Sequence, residues 1–140
     1  MDKTKRNNRQ ESLAGIQYHG EPGSTSDCVD AVMRLVQFND QITKARILTS
    51  SNEHCLLLSI NTGDLVAIKS GFTSGYGGEG PHGFSYVLQL LEAYDVEIEE
   101  YGVSPDLINR LDNSGLTQTD LDQIDSGSAN STIKMGGLRG

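Results

Sequence analysis

The chain has 140 residues, 36% of them apolar and 6% aromatic, with no Trp and a net charge of −8. That length suits one domain with a real core. The acidity excludes ordinary nucleic-acid binding, because a negative body repels phosphate backbones. Between Ser24 and Ser126 the imbalance is steeper, 16 acidic residues against five basic ones, a net of −11. Such a surface serves solubility, or it fits a partner with a basic face.

No apolar run approaches the roughly 18 residues that a membrane helix needs, and the basic N-terminus has no apolar segment behind it, so neither a membrane nor a secretory signal is expected. Cys28 and Cys55 lack the spacing of a metal knuckle or a redox pair. Both lie in apolar runs, which predicts buried free thiols and a cytoplasmic location.

Residues 1–23 are polar and carry no sustained periodicity, although Leu13, Ile16 and Tyr18 are compatible with a short extended piece. Residues 1–23 and 127–140 are expected to be flexible tails around a single domain at 24–126. Ser24 and Asp27 mark a helix start, and Val29, Val32, Met33 and Val36 give it one apolar face.

The runs Arg46–Thr49, Cys55–Ile60 and Asp64–Lys69 read as strands joined by short turns, which favours a three-stranded antiparallel meander. The middle run is almost continuously apolar, as a strand covered on both faces would be. A second helix is expected from Gly83 or Phe84 to Tyr94, then a half-exposed fourth strand at Val96–Tyr101, parallel to the third strand or to a neighbour of it. Short helices should start at Ser104-Pro105-Asp106 and at Thr117. The expected fold is thus α+β: an N-terminal helix, the meander, a Gly-rich loop and helix leading to a fourth strand, and two short C-terminal helices. The predicted core is Val29, Val32, Val36, Leu56, Leu58, Val66, Ile68, Val87, Leu88, Leu91, Val96 and Ile98.

The most unusual stretch is Ser70 to Gly83, which holds six of the chain's 16 glycines between a strand and a helix. Bare N–H groups ahead of a helix N-terminus are a common way to hold phosphate, and a Cβ there would block close approach. Gly75, Gly77 and Gly80 satisfy G-x-G-x-x-G, but Pro81 and His82 intrude before the helix and the Gly-Lys-Ser/Thr ending of a nucleoside-triphosphate loop is missing. The stretch has the look of a motif from a small bacterial or phage domain.

The first reading is a non-catalytic domain that binds an anionic or nucleotide-like small molecule. Its site would be Gly75, Tyr76, Gly77, Gly78, Glu79, Gly80, His82, Gly83 and Ser85, with Tyr76 stacking on the ligand. The cofactor, if one is used, is not specified by the sequence. Glu79 counts against this reading, since it adds negative charge where phosphate would sit.

A second reading is an acidic interaction module of the inhibitor, antitoxin or immunity type, docking on a basic protein through Glu97, Glu99, Glu100 and Tyr101. A third is an enzyme using Glu79 and His82 for proton transfer. Ser70, Thr73, Ser74 and Ser85 are its available hydroxyls, with no third residue in the sequence to orient them. Two ligands are too few for a metal, and His19 and His54 lie in separate segments.

Overall fold

A computed structural model describes residues 15–37, 41–61, 63–74 and 78–127, and the backbone of 131–133. The elements run β1 (Ile16–His19), α1 (Thr25–Gln37), β2 (Ile42–Ser50), β3 (Glu53–Ile60), β4 (Leu65–Thr73), α2 (Glu79–Ala93), β5 (Glu97–Gly102), α3 (Pro105–Asp112), α4 (Gln118–Ser126) and β6 (Ser131–Ile133).

The expected arrangement of a three-stranded meander plus a fourth strand is wrong. The strands form one mixed sheet in the order β1-β4-β3-β2-β5-β6. β3 runs antiparallel to both β2 and β4, while β1 is parallel to β4 and β5 is parallel to β2. Hence β1, β2, β4 and β5 all point the same way, and their carboxyl ends share one edge of the molecule. The α2 crossover carries the chain from β4 past β3 and β2 to reach β5.

Two strands fall in stretches expected to be tails. β1 is held by its apolar alternation. Ile16 and Tyr18 pack against the core, and the Tyr18 hydroxyl accepts a hydrogen bond from the Leu116 N–H at 3.0 Å. β6 pairs antiparallel with Ile98–Glu100 of β5. Residues 1–14 and 134–140 lie outside the described residues.

The sheet is covered on both faces. On one face α1 and α2 enclose Ala45, Ile47, Leu56, Leu58, Val66, Ile68, Phe72 and Ile98. The twelve residues predicted for the core all belong to this layer, with Val29 and Leu88 only partly buried. On the other face Leu107, Ile108, Leu111, Leu116, Leu121 and Ile124 cover Leu48, Cys55, Leu57 and Ala67. This second core explains why β3 is apolar throughout: Leu56 and Leu58 face one layer, Cys55 and Leu57 the other. Burying a Leu of this kind contributes on the order of 2 kcal/mol of transfer free energy.

Local chemistry fixes the helix ends. Ser104 caps α3 by accepting from the Leu107 N–H at 3.1 Å, with Pro105 in the first turn. Thr117 and Asp120 form a capping box on α4. Among the described residues no helix is long and apolar enough to cross a membrane.

Candidate functional site

The carboxyl ends of β2, β4 and β5 carry the polar chemistry of the molecule. In open sheets with mostly parallel strands this is the edge where ligands bind. Two features meet there: a chain of hydrogen bonds around His54 and an acidic cleft beside the start of α2.

His54 is the second residue of β3, opposite Thr49 of β2 and Phe72 of β4. Next to it the ladder is irregular: the one residue between His54 and Leu56 faces three between Ile68 and Phe72. That bulge re-aims the end of β4. His54 is only 4% exposed, and Phe84 of α2 stacks on its ring with centroids 4.3 Å apart and planes 9° from parallel. A buried imidazole needs partners for both nitrogens. Nδ1 lies 2.9 Å from Thr49 Oγ1, and Nε2 lies 2.7 Å from Ser74 Oγ.

Thr49 Oγ1 is also 2.7 Å from Glu100 Oε2. A carboxylate can only accept, so Thr49 donates to Glu100 and its lone pair accepts from Nδ1–H. Nε2 is then the acceptor, and the Ser74 hydroxyl donates to it. The protons therefore run one way: Ser74 to His54, His54 to Thr49, Thr49 to Glu100. Burial holds the His54 pKa below its ordinary value, and nearby Glu100 opposes that shift only in part. His54 is thus neutral at pH 7, which this tautomer requires.

The cleft lies on the same edge, between the chain leading into α1, the end of β4, the first turn of α2 and α3. Its volume is about 510 Å³. Glu53, Glu79 and Asp112 line it, with Thr25, Ser70, Thr73 and Asn109 but, among the described residues, no Lys, Arg or His. Asp112 is a brace as well, because it accepts both the N–H and the hydroxyl of Ser70. Among the described residues no group of His, Cys, Asp and Glu is arranged to hold a metal ion.

The Gly-rich stretch has a different local structure from the one expected. Gly75, Tyr76 and Gly77 lie outside the described residues. Gly78 is the residue before α2, at φ 150°, a region that L side chains avoid. Glu79 to Gly83 are helical, so α2 starts about four residues earlier than its apolar pattern shows. Pro81 is tolerated because first-turn N–H groups have no intrahelical partner.

The glycines of this turn serve packing. A Cβ on Gly80 would strike Thr73, and one on Gly83 would strike Thr25 and Val29 of α1. A Cβ on Gly71 would lie 2.6 Å from Cys28 Sγ and 2.7 Å from the Ser24 carbonyl oxygen. Glu79, His82 and Ser85 are exposed on α2.

The β5 residues divide between the two faces. Glu99 is 2.8 Å from the Tyr101 hydroxyl and 3.5 Å from Lys44 Nζ. The Tyr101 bond is the main reason its carboxyl is held below the usual range. Glu97 is exposed. Glu100 faces the other way, into the His54 chain. Sequence reading missed that chain altogether because Thr49, His54, Ser74 and Glu100 come from three strands and the residue just past β4. Ser74 stood among the candidate hydroxyls, but no local pattern marked its partner.

No protein-family model and no curated protein matches the chain. Its fold is similar to that of a chain in a solved structure described as respiratory complex I from Thermus thermophilus, at 18% sequence identity and a TM-score of 0.63. The match covers 86% of this chain and 97% of that one. At this identity the likeness concerns the fold.

Both cysteines are buried free thiols. Burial pushes both thiol pKa values up, and the Cys28 thiol is directed at the Lys69 carbonyl at 3.3 Å.

Proposed function

We propose that this protein is an interaction module whose acidic cleft receives a basic segment of a partner protein. The observation that carries this reading is the composition of the cleft: Glu53, Glu79 and Asp112, with no Lys, Arg or His among the described residues that line it. An anionic or nucleotide-like ligand would meet like charge there, whereas a Lys or Arg side chain would find complementary potential. The packing role of Gly71, Gly80 and Gly83 also removes most of the reason to read the glycines as a phosphate cradle. The structural neighbour is a chain of a respiratory complex, which is in keeping with a fold that assembles with other proteins. Two unreactive buried thiols suit a reducing cytoplasmic setting.

The test is a titration with a fluorescent oligo-arginine peptide at low ionic strength. Two variants remove the same charge, Glu53→Gln with Glu79→Gln in the cleft and Asp30→Asn with Asp122→Asn outside it. The cleft variant should lose about tenfold or more in affinity and the control less than about twofold, with added salt weakening both. Equal losses in the two variants would reduce the interaction to net charge and sink the cleft as the site.

A further inference from the structure

Beyond partner binding, we propose that Ser74 is a nucleophile, activated by His54, that accepts an acyl group from carboxylic esters. The proposal rests on geometry in which every hydrogen bond has one consistent direction. Ser74 Oγ is 2.7 Å from His54 Nε2, His54 Nδ1 is 2.9 Å from Thr49 Oγ1, and Thr49 Oγ1 is 2.7 Å from Glu100 Oε2. A hydroxyl donating to a neutral imidazole, itself oriented by an acceptor that leads to a carboxylate, is the arrangement that makes serine reactive. Here a threonine hydroxyl stands between the imidazole and the acid.

A histidine kept only for packing needs its nitrogens satisfied. It does not need one of its partners to be accessible. His54 is 4% exposed, while Ser74 is half-buried, on the residue that follows β4 at the sheet edge. The base is thus shielded, while its hydroxyl partner belongs to a partly exposed residue. α2 begins at Glu79 without a side-chain cap on its N-terminus, and Gly80 packs on Thr73, the neighbour of Ser74. The positive end of a 15-residue helix thus packs on the neighbour of Ser74, on the side where it would favour the negative charge developing on the carbonyl oxygen of a bound ester.

In the reaction, Ser74 Oγ bonds to the ester carbonyl carbon and its proton passes to His54 Nε2. The carbon–oxygen bond to the alcohol then breaks, and the alcohol leaves with the proton from Nε2. Water repeats the sequence on the acyl-serine, giving up a proton to Nε2 and releasing the carboxylic acid and free Ser74. Thr49 and Glu100 are positioning residues, since they hold the imidazole tautomer and stabilise the charge it gains.

The experiment uses the full chain and p-nitrophenyl acetate, read by nitrophenolate release and by peptide mapping for an acetyl group. The expected result is a single acetylated residue, Ser74, absent from Ser74→Ala and from His54→Gln. The acylation rate should rise with pH and level off with a midpoint below the ordinary histidine value of about 6.5. Thr49→Val should slow acylation by about tenfold or more and displace that midpoint, and Thr49→Ser should restore both. Acetylation of lysines only, no acetylation of a protein shown to be folded, or a Thr49→Val protein that reacts like wild type would each overturn the proposal. If His54→Gln does not fold, the pH midpoint and the Thr49 pair still decide it.

Discussion

The Phe84 ring lies flat against His54, 4.3 Å from centroid to centroid. That stack ties α2 to the end of the sheet and removes water from an imidazole that is already bonded on both sides. Phe72 adds a tilted ring 5.9 Å from Phe84. The group of aromatics and hydroxyls thereby fixes β2, β3, β4 and β5 to the start of α2. Protonating His54 would force Nε2 to donate as well, so the Ser74 hydroxyl would have to turn and accept while the Thr49 and Glu100 bonds kept their direction.

Stability should therefore depend on pH through His54. Burial depresses its folded pKa, so as pH falls below about 6.5 the unfolded chain takes up the proton first. The contribution is fully present above the unfolded value and is lost as pH falls towards the folded one. Urea unfolding between roughly pH 5 and 8 should show a midpoint that declines on the acid side. The His54 ring signals in a proton NMR titration should have their midpoint below 6.5. A midpoint at or above it would contradict the burial argument.

Phe84→Ala should cost about 2–3 kcal/mol, at the low end for a phenylalanine because the ring is only partly buried. It should also hydrate His54 and return its pKa towards the ordinary value. Thermal unfolding checks the first effect and the same NMR titration the second. A stability loss with no movement of the His54 midpoint would mean that Phe84 packs the helix without shielding the imidazole.

Gly83→Ala separates a packing glycine from an incidental one. Inside an exposed helix this change stabilises by about 1 kcal/mol. Here the new methyl would meet Thr25 Cγ2, and Thr25 cannot rotate away freely because its hydroxyl is held by the Gly71 carbonyl at 2.6 Å. Overpacking of this kind costs about 1–3 kcal/mol. The expected outcome is net destabilisation of about 1 kcal/mol by urea unfolding, and a more stable variant would show that α1 and α2 can move apart without cost.

What could be read from the sequence was local. The apolar faces of α1 and α2, the caps at Ser104 and Thr117, and the two-sided burial of β3 all follow from residues within a turn or two of each other. The sheet order did not, because β1 enters through only Ile16 and Tyr18, and β5 lies beside β2, about 50 residues away. The Gly-rich stretch has a packing role that its composition did not reveal. Gly71, Gly80 and Gly83 admit close contacts from α1 and Thr73, and nothing in their spacing tells packing from ligand approach. The His54 chain was hidden for the same reason as the sheet order, since it forms only after distant strands pair.

Asp120 offers the clearest test of the second core. It is 3% exposed, yet it is a carboxylate. It accepts from Arg110 Nε at 2.9 Å and Nη2 at 2.7 Å, and from the Thr117 N–H at 3.0 Å, so one side chain joins α3, the α4 cap and the loop between them. Burial alone would raise its pKa, but the Arg110 and Thr117 bonds outweigh burial and hold the carboxyl below the usual range. Its folded pKa is therefore depressed. Its contribution is present above the unfolded value of about 3.9 and is lost as pH falls through the folded one. Asp120→Ala removes the cap and leaves Arg110 without its bidentate partner. The expected cost is about 2–4 kcal/mol, discounted for the partial exposure of Arg110. Asp120→Asn keeps the shape and part of the cap and should cost less. It should also flatten the loss of stability expected of the wild type below about pH 4. Urea unfolding of the three proteins between roughly pH 2.5 and 6 measures both effects. An unchanged acid slope in Asp120→Asn would show that other carboxylates govern the low-pH behaviour.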